Sequence, residues 1–239
     1  MTTTTHPDWP TQMMLAGQTA AHEGPVDMFM MYVMHHAFRR DLSMLTEAAR
    51  VTPVSDRTAW RLLEQRWSVF HEALHGHHTG EDTGLWPLLL ERAEESERQT
   101  LLDMEAEHAE LDPLLEACGR GFTRLADHAD DDARAALAVR LVATRECLAR
   151  HLRHEETEAI AIIQRRLTQA DWDRLDEEHF KEDLTFGKVV RIVPWAASGL
   201  PREVLDRVFA KTEPGFKVIW LLTRRRFARR QARALRHVV

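Results

Sequence analysis

Apolar residues recur along this chain at alternating steps of three and four, the spacing of one face of an α-helix. The first such stripe is Met28, Met31, His35, Phe38, Leu42 and Leu45. It predicts a helix over about 25–50, opened by Pro25 in its first turn and stopped before Pro53. The second stripe is Trp60, Leu63, Trp67, Phe70, Leu74, His77, Glu81, Leu85 and Leu88. It predicts a helix with Ser55 or Asp56 as N-cap that runs to Leu85 and ends near Pro87. A third helix, over about 96–128, carries Leu101, Met104, His108, Leu111, Leu115 and Cys118. A fourth follows the acidic run Asp130, Asp131, Asp132, which suits a helix N-terminus, and reaches Leu167. Its face is Leu137, Leu141, Thr144, Leu148, His151, Glu155 and Ile162. β-branched alternation is almost absent, so four helices on short links predict an all-α fold, an up-down-up-down four-helix bundle.

Beyond Leu167 the pattern changes. Asp171 and Trp172 read as the cap and first turn of a short helix, and the stretch 187–199, with Pro194 inside it, reads as broken. A short amphipathic helix over 201–211 and an Arg-rich one over 215–237 complete the chain. The expected organisation is an N-terminal arm (1–24), a helical bundle (25–168) and a helical extension (169–239).

Composition narrows the function classes. A 44% hydrophobic and 29% charged chain is ordinary for a globular protein, and no apolar run approaches the roughly 20 residues of a membrane span. The Thr-rich start, Met1 to Pro10, lacks a basic region followed by an apolar stretch. Cys118 and Cys147 are too few for a disulfide framework and read as core-facing thiols, so the expected location is the cytoplasm. Fourteen His residues are the outlier, and their positions decide what they mean.

Each of the four stripes contains one His, and two of them add a Glu four residues later: His77 with Glu81, and His151 with Glu155. Side chains four apart on a helix lie one above the other and can converge on one point. Buried ionisable groups without partners cost several kcal/mol each. Six in register therefore call for compensation, and a metal supplies it directly; imidazole with carboxylate suits iron, manganese or zinc. Two carboxylates from different helices can bridge a pair of metals in a bundle core.

The segments HHAFRRDL, HHTGEDTGLWPLL, EHAELDPLL and HLRHEETEAI, in this order, resemble the hemerythrin, or HHE cation-binding, family over about 26–167. The resemblance implies a centre of two iron ions, non-haem and joined by an oxo or hydroxo bridge. It implies His35 as first-helix ligand, His77 with Glu81 from the second, His108 from the third and His151 with Glu155 from the fourth. Glu81 and Glu155 would bridge the irons. Oxygen-carrying members have a second His four residues after the third-helix ligand; here that position is Asp112, either an oxygen ligand or the mark of an extra open position. Tyr32, three residues before His35, is a packed residue or a further ligand. His36, His78 and Asp82 fall about 100° or more off the ligand stripe and read as surface or supporting residues; His71 and His75 read as solvated. Gly76, Gly80 and Gly84 mark either close packing or an opening to the metals.

No acid follows Glu213, whereas eight Lys or Arg do; the 38 acids and the other 24 basic residues precede them. The basic helix is expected to dock on the acidic bundle or on a second copy; an anionic membrane surface is the next partner, through Phe216, Val218 and Leu222 beside the charge. No nucleic-acid motif accompanies it. The expected function is binding or sensing of a small redox ligand: oxygen, nitric oxide or peroxide. The alternatives are an enzyme acting on peroxide or oxygen with the same centre, and an iron-storing or structural module that works through its tail.

Overall fold

The computed structural model describes residues 8–181 and 185–238. Met1–Pro7, part of the Thr-rich start, lies outside the described residues. Among the described residues the chain is all-α, with no strand. The helices are α1 (Phe29–Val51), α2 (Arg57–Gly80), α3 (Trp86–Arg92), α4 (Glu95–Asp127), α5 (Asp131–His154), α6 (Ile160–Arg166), α7 (Gln169–Leu175), α8 (Phe186–Ala196), α9 (Arg202–Lys211) and α10 (Pro214–Ala234). Two wide π turns, Glu81–Leu85 and Glu155–Ala159, join α2 to α3 and α5 to α6 without a break.

Pro87 therefore does not end the second helix, contrary to the sequence reading. The Trp86 N–H already reaches back five residues to the Glu81 carbonyl, so the ladder is displaced where Pro87 lacks its donor. The extra residue of a π turn also advances the buried face. Leu85, Trp86 and Leu89 are buried, whereas Leu88, on the expected stripe, is half-buried. Upstream of the π turns, every stripe residue is buried as its spacing requires.

The chain packs as two units, and each long helix contributes to both. The first takes the described residues of Met1–His36, His75–Leu111 and Cys147–Asp183. Here the arm before α1 is tied down without being helical. Gln164 donates to the Val26 carbonyl at 2.8 Å and accepts its N–H at 3.0 Å. Gly24 is needed at this crossing, because a Cβ would lie 2.2 Å from the Gln164 amide oxygen. The short α7 is capped by Thr168, three residues earlier than expected, in a reciprocal box with Asp171.

The second unit takes the described residues of Ala37–Leu74, Asp112–Glu146 and Leu184–Val239. Its aromatic core includes Trp67 stacked on Phe122 (5.2 Å between centroids) and Phe38 edge-on to Phe70. The stretch 187–199 is not broken. Helix α8 runs through Pro194, and its C-terminal carbonyls are satisfied by Arg40, which donates to Trp195 O at 2.8 Å and to Ser198 O. Gly199, at φ +75°, then turns the chain as only Gly does without strain. Helix α10 docks within this unit: Arg236 and His237 each meet Asp56 at 2.7 Å, and Arg66 lies over the Phe227 ring.

Asp41 is fully buried here, a residue the stripes did not single out. Arg66 and Arg40 donate to its Oδ1 at 2.7 and 2.8 Å, and the Trp195 indole donates to Oδ2 at 2.7 Å. Removing the carboxylate strands a buried Arg66. Asp41→Ala should therefore cost about 3–5 kcal/mol, read as a lower urea midpoint. A loss under about 1 kcal/mol would show that water replaces the carboxylate.

Candidate metal centre

The six residues that the stripes placed inward come together within the first unit. His35, from α1, brings its Nε2 to 3.2 Å from the Nε2 of His77, near the end of α2. His108, from α4, brings its Nε2 to 3.2 Å from the Nε2 of His151, near the end of α5. Glu81 and Glu155 lie between the two pairs. The Glu81 oxygens are 3.2 Å from His77 Nε2 and 3.5 Å from His108 Nε2; Glu155 Oε2 is 3.1 Å from His35 Nε2 and 3.9 Å from His151 Nε2. Both Glu side chains are fully buried, and no hydrogen-bond donor other than these imidazoles meets their four oxygens.

Three of these imidazoles are held from behind by a carboxylate. Each Nδ1 donates: His35 to Glu156 at 3.0 Å, His108 to Asp82 at 2.8 Å, His151 to Glu107 at 2.9 Å. A carboxylate only accepts, so the ring proton sits on Nδ1, and in the neutral ring Nε2 presents a bare lone pair. Two lone pairs face each other at 3.2 Å between His108 and His151, an arrangement that needs a cation or a proton. Two nitrogens bound to one metal at about 2.1 Å stand roughly 3.0–3.4 Å apart for right-angle to tetrahedral geometry, so both pairs fit a shared metal. Carboxylate–imidazole–metal relays of this kind fix ring orientation and raise ligand basicity.

Helix geometry explains how consecutive residues serve different jobs. Neighbours in a helix point about 100° apart, and a helix in a bundle touches two others. On the strand of helix ending in the second π turn, Glu155 points between the His pairs while Glu156 turns to α1. Its second oxygen accepts the Thr19 N–H at 2.8 Å, which ties the N-terminal arm to the site. Glu107 sits one residue before His108 and reaches across to α5, where it also takes His154 Nδ1 at 2.9 Å. Both π turns begin at an inward Glu, a distortion often found at functional sites.

The structure also places the positions for which the sequence left alternatives, and it differs from the sequence reading at His78. Asp112 is exposed and belongs to neither group, because the fourth residue after His108 lies where α4 faces solvent. His78 is buried, 5% exposed, and a nitrogen of its ring groups with those of His108 and His151 within 4.8 Å. The stripe logic missed it because it allowed each helix a single inward face. Tyr32 is buried with its hydroxyl unpartnered, so it packs beside the site without entering either group. Gly80 and Gly84 serve close packing: a Cβ on either would strike Phe180 at 2.8 Å or His179 at 2.5 Å, while Gly76 faces open space. Those two residues belong to the π turn Asp176–Phe180, and the Phe180 ring lies 6.3 Å from that of His77.

The charges in the site are set by burial and by one another. Burial, followed by the Glu155 and Asp82 charges, pushes Glu81 well above the usual carboxylate range. Glu155 goes the other way: burial opposes ionisation, but the His35 charge outweighs it. For His35 burial works against the proton, and Glu155 with Glu156 overcomes it and raises the ring to about 9. Burial, then the neighbouring imidazoles, holds His77 and His78 well below the ordinary His value. Burial, then the Glu156 and Glu155 charges, raises the Tyr32 phenol. Without metal, His35 thus keeps a proton that a metal must displace. Metal affinity should rise from pH 7 to pH 9 as that proton is lost. Chelator competition across that range reads it; a flat profile would show that His35 is neutral at pH 7.

Comparison with curated proteins and with solved structures finds no match for this chain. The family model described as the hemerythrin HHE cation binding domain matches residues 28–163, which contain all six converging residues. With more than half of its length matched, the chain belongs to the hemerythrin HHE cation-binding family.

Proposed function

We propose that this protein holds two iron ions and uses them to bind or sense a small redox ligand: oxygen, nitric oxide or peroxide. The observation that carries the reading is the set of four buried carboxylate oxygens between two imidazole pairs. His35 and His77 would hold one iron, His108 and His151 the other, and Glu81 and Glu155 would span both. Mixed nitrogen and oxygen donors without thiolate suit iron. When bound, the two irons supply one-electron redox chemistry and sites for a diatomic or peroxide.

The chain's own groups support that use. Glu156, Asp82 and Glu107 hold the imidazoles in the donor orientation. Tyr32 keeps its proton and has no partner, so its O–H is free to donate to a ligand near the His35 pair. Phe180, against Gly80 and beside His77, closes one approach with an apolar ring. Among the described residues no helix is long and apolar enough to cross a membrane, and we place the protein in the cytoplasm. The docking of α10 through Asp56 favours the intramolecular role of the basic helix over an anionic membrane surface.

Iron-replete protein should contain about two irons per chain. Its reduced form should change its visible spectrum on exposure to oxygen, nitric oxide or peroxide. One tightly held zinc and no iron would overturn the iron assignment. Two irons with no spectral response to any of the three would instead support a structural or storage role.

A further inference from the structure

We propose that His78 is a third imidazole ligand of the His108–His151 group, supplied by α2 where α4 offers no second His. The proposal rests on the metal-binding reading above and concerns which residues complete it. His78 is 5% exposed, and its Nε2 is buried without a hydrogen-bond partner. A ring nitrogen lies with those of His108 and His151 within 4.8 Å. An imidazole buried with a bare nitrogen, beside two others whose Nε2 atoms already face each other, is compensated by a shared cation.

The backbone explains why α2 can provide two ligands in succession. His77 and His78 point about 100° apart, and α2 packs between two partners at this level. His77 therefore meets His35 of α1, while His78 meets His108 of α4. Asp82, one turn beyond His78, points the same way and holds His108 Nδ1. On α4 itself the next position one turn along, Asp112, is exposed. The doublet His77-His78 followed by Glu81-Asp82 is thus two interleaved i, i+4 pairs, one for each metal position. The two metals become unequal: the His35–His77 group has two imidazoles and the other has three. An added small ligand would go to the first.

The alternative is visible in the same geometry. His78 lies flat on His108, with 3.8 Å between centroids and 8° between planes, and could serve only as a platform. Parallel rings do not converge, so as a ligand His78 must turn out of this stack. Phe keeps the platform and removes both nitrogens; Ala removes both features. Ferrous iron titrated anaerobically against a chelator, with Mössbauer spectra of the loaded protein, separates the cases.

Wild type should bind two irons in unequal environments. His78→Phe and His78→Ala should both keep one and weaken the second by about tenfold or more, and added imidazole should restore it in His78→Ala only. Asp112→Ala should behave as wild type. Circular dichroism of the metal-free variants checks folding; should Ala fail it, Phe and His78→Gln carry the test. Two tightly held irons in His78→Phe would overturn the proposal in favour of the platform. Loss of iron in Asp112→Ala would overturn it in favour of α4. A wild type that holds no second iron fails the underlying reading as well, which distinguishes the two failures.

Discussion

Two glutamates buried among imidazoles in a dry helical core are the constraint on which the site depends. Glu81 and Glu155 are fully buried, and imidazole nitrogens approach their oxygens at 3.1–3.9 Å. Such groups cost several kcal/mol unless something of opposite charge joins them. Everything nearby is arranged around that cost. Imidazole nitrogens approach the carboxylates from four helices, carboxylates behind three rings turn the bare nitrogens inward, and the arm from Thr19 steadies one of those supports.

Asp41 shows the same problem solved within the chain. It is as buried as Glu81, yet two guanidinium groups and an indole N–H satisfy it. Helices that carry Asp41 and Arg66 stay compensated with no outside ion. The contrast argues that the glutamates are kept for a cation, since the chain pairs a buried carboxylate with guanidinium groups elsewhere and gives these two imidazoles instead.

Much of this was legible in the sequence, because a hydrophobic stripe that contains His and Glu at the helical period can mean little else. The six inward residues and the four long helices followed from spacing alone. The π turns did not. Nothing in Glu81–Leu85 or Glu155–Ala159 announces an i+5 bond, and so the end at Pro87 and the burial of Leu88 were misread. His78 was missed for a related reason: one stripe per helix ignores that a bundle helix has two neighbours, so adjacent residues can both face inward. Asp41 and Glu107 are single acids amid many, and only tertiary packing distinguishes them from solvated ones. Pro194 reads as a breaker until Arg40 is seen capping the carbonyls beyond it.

The central claim is that cations occupy the space between the two imidazole pairs and neutralise the glutamates. An anomalous difference map at the iron edge, from crystals of iron-loaded protein, tests it most directly. The account predicts two peaks, one between His35 and His77 and one between His108 and His151, roughly 3–4 Å apart and both in contact with Glu81 and Glu155. A single peak outside those pairs, or none with the two carboxylates bonded to each other, would contradict it.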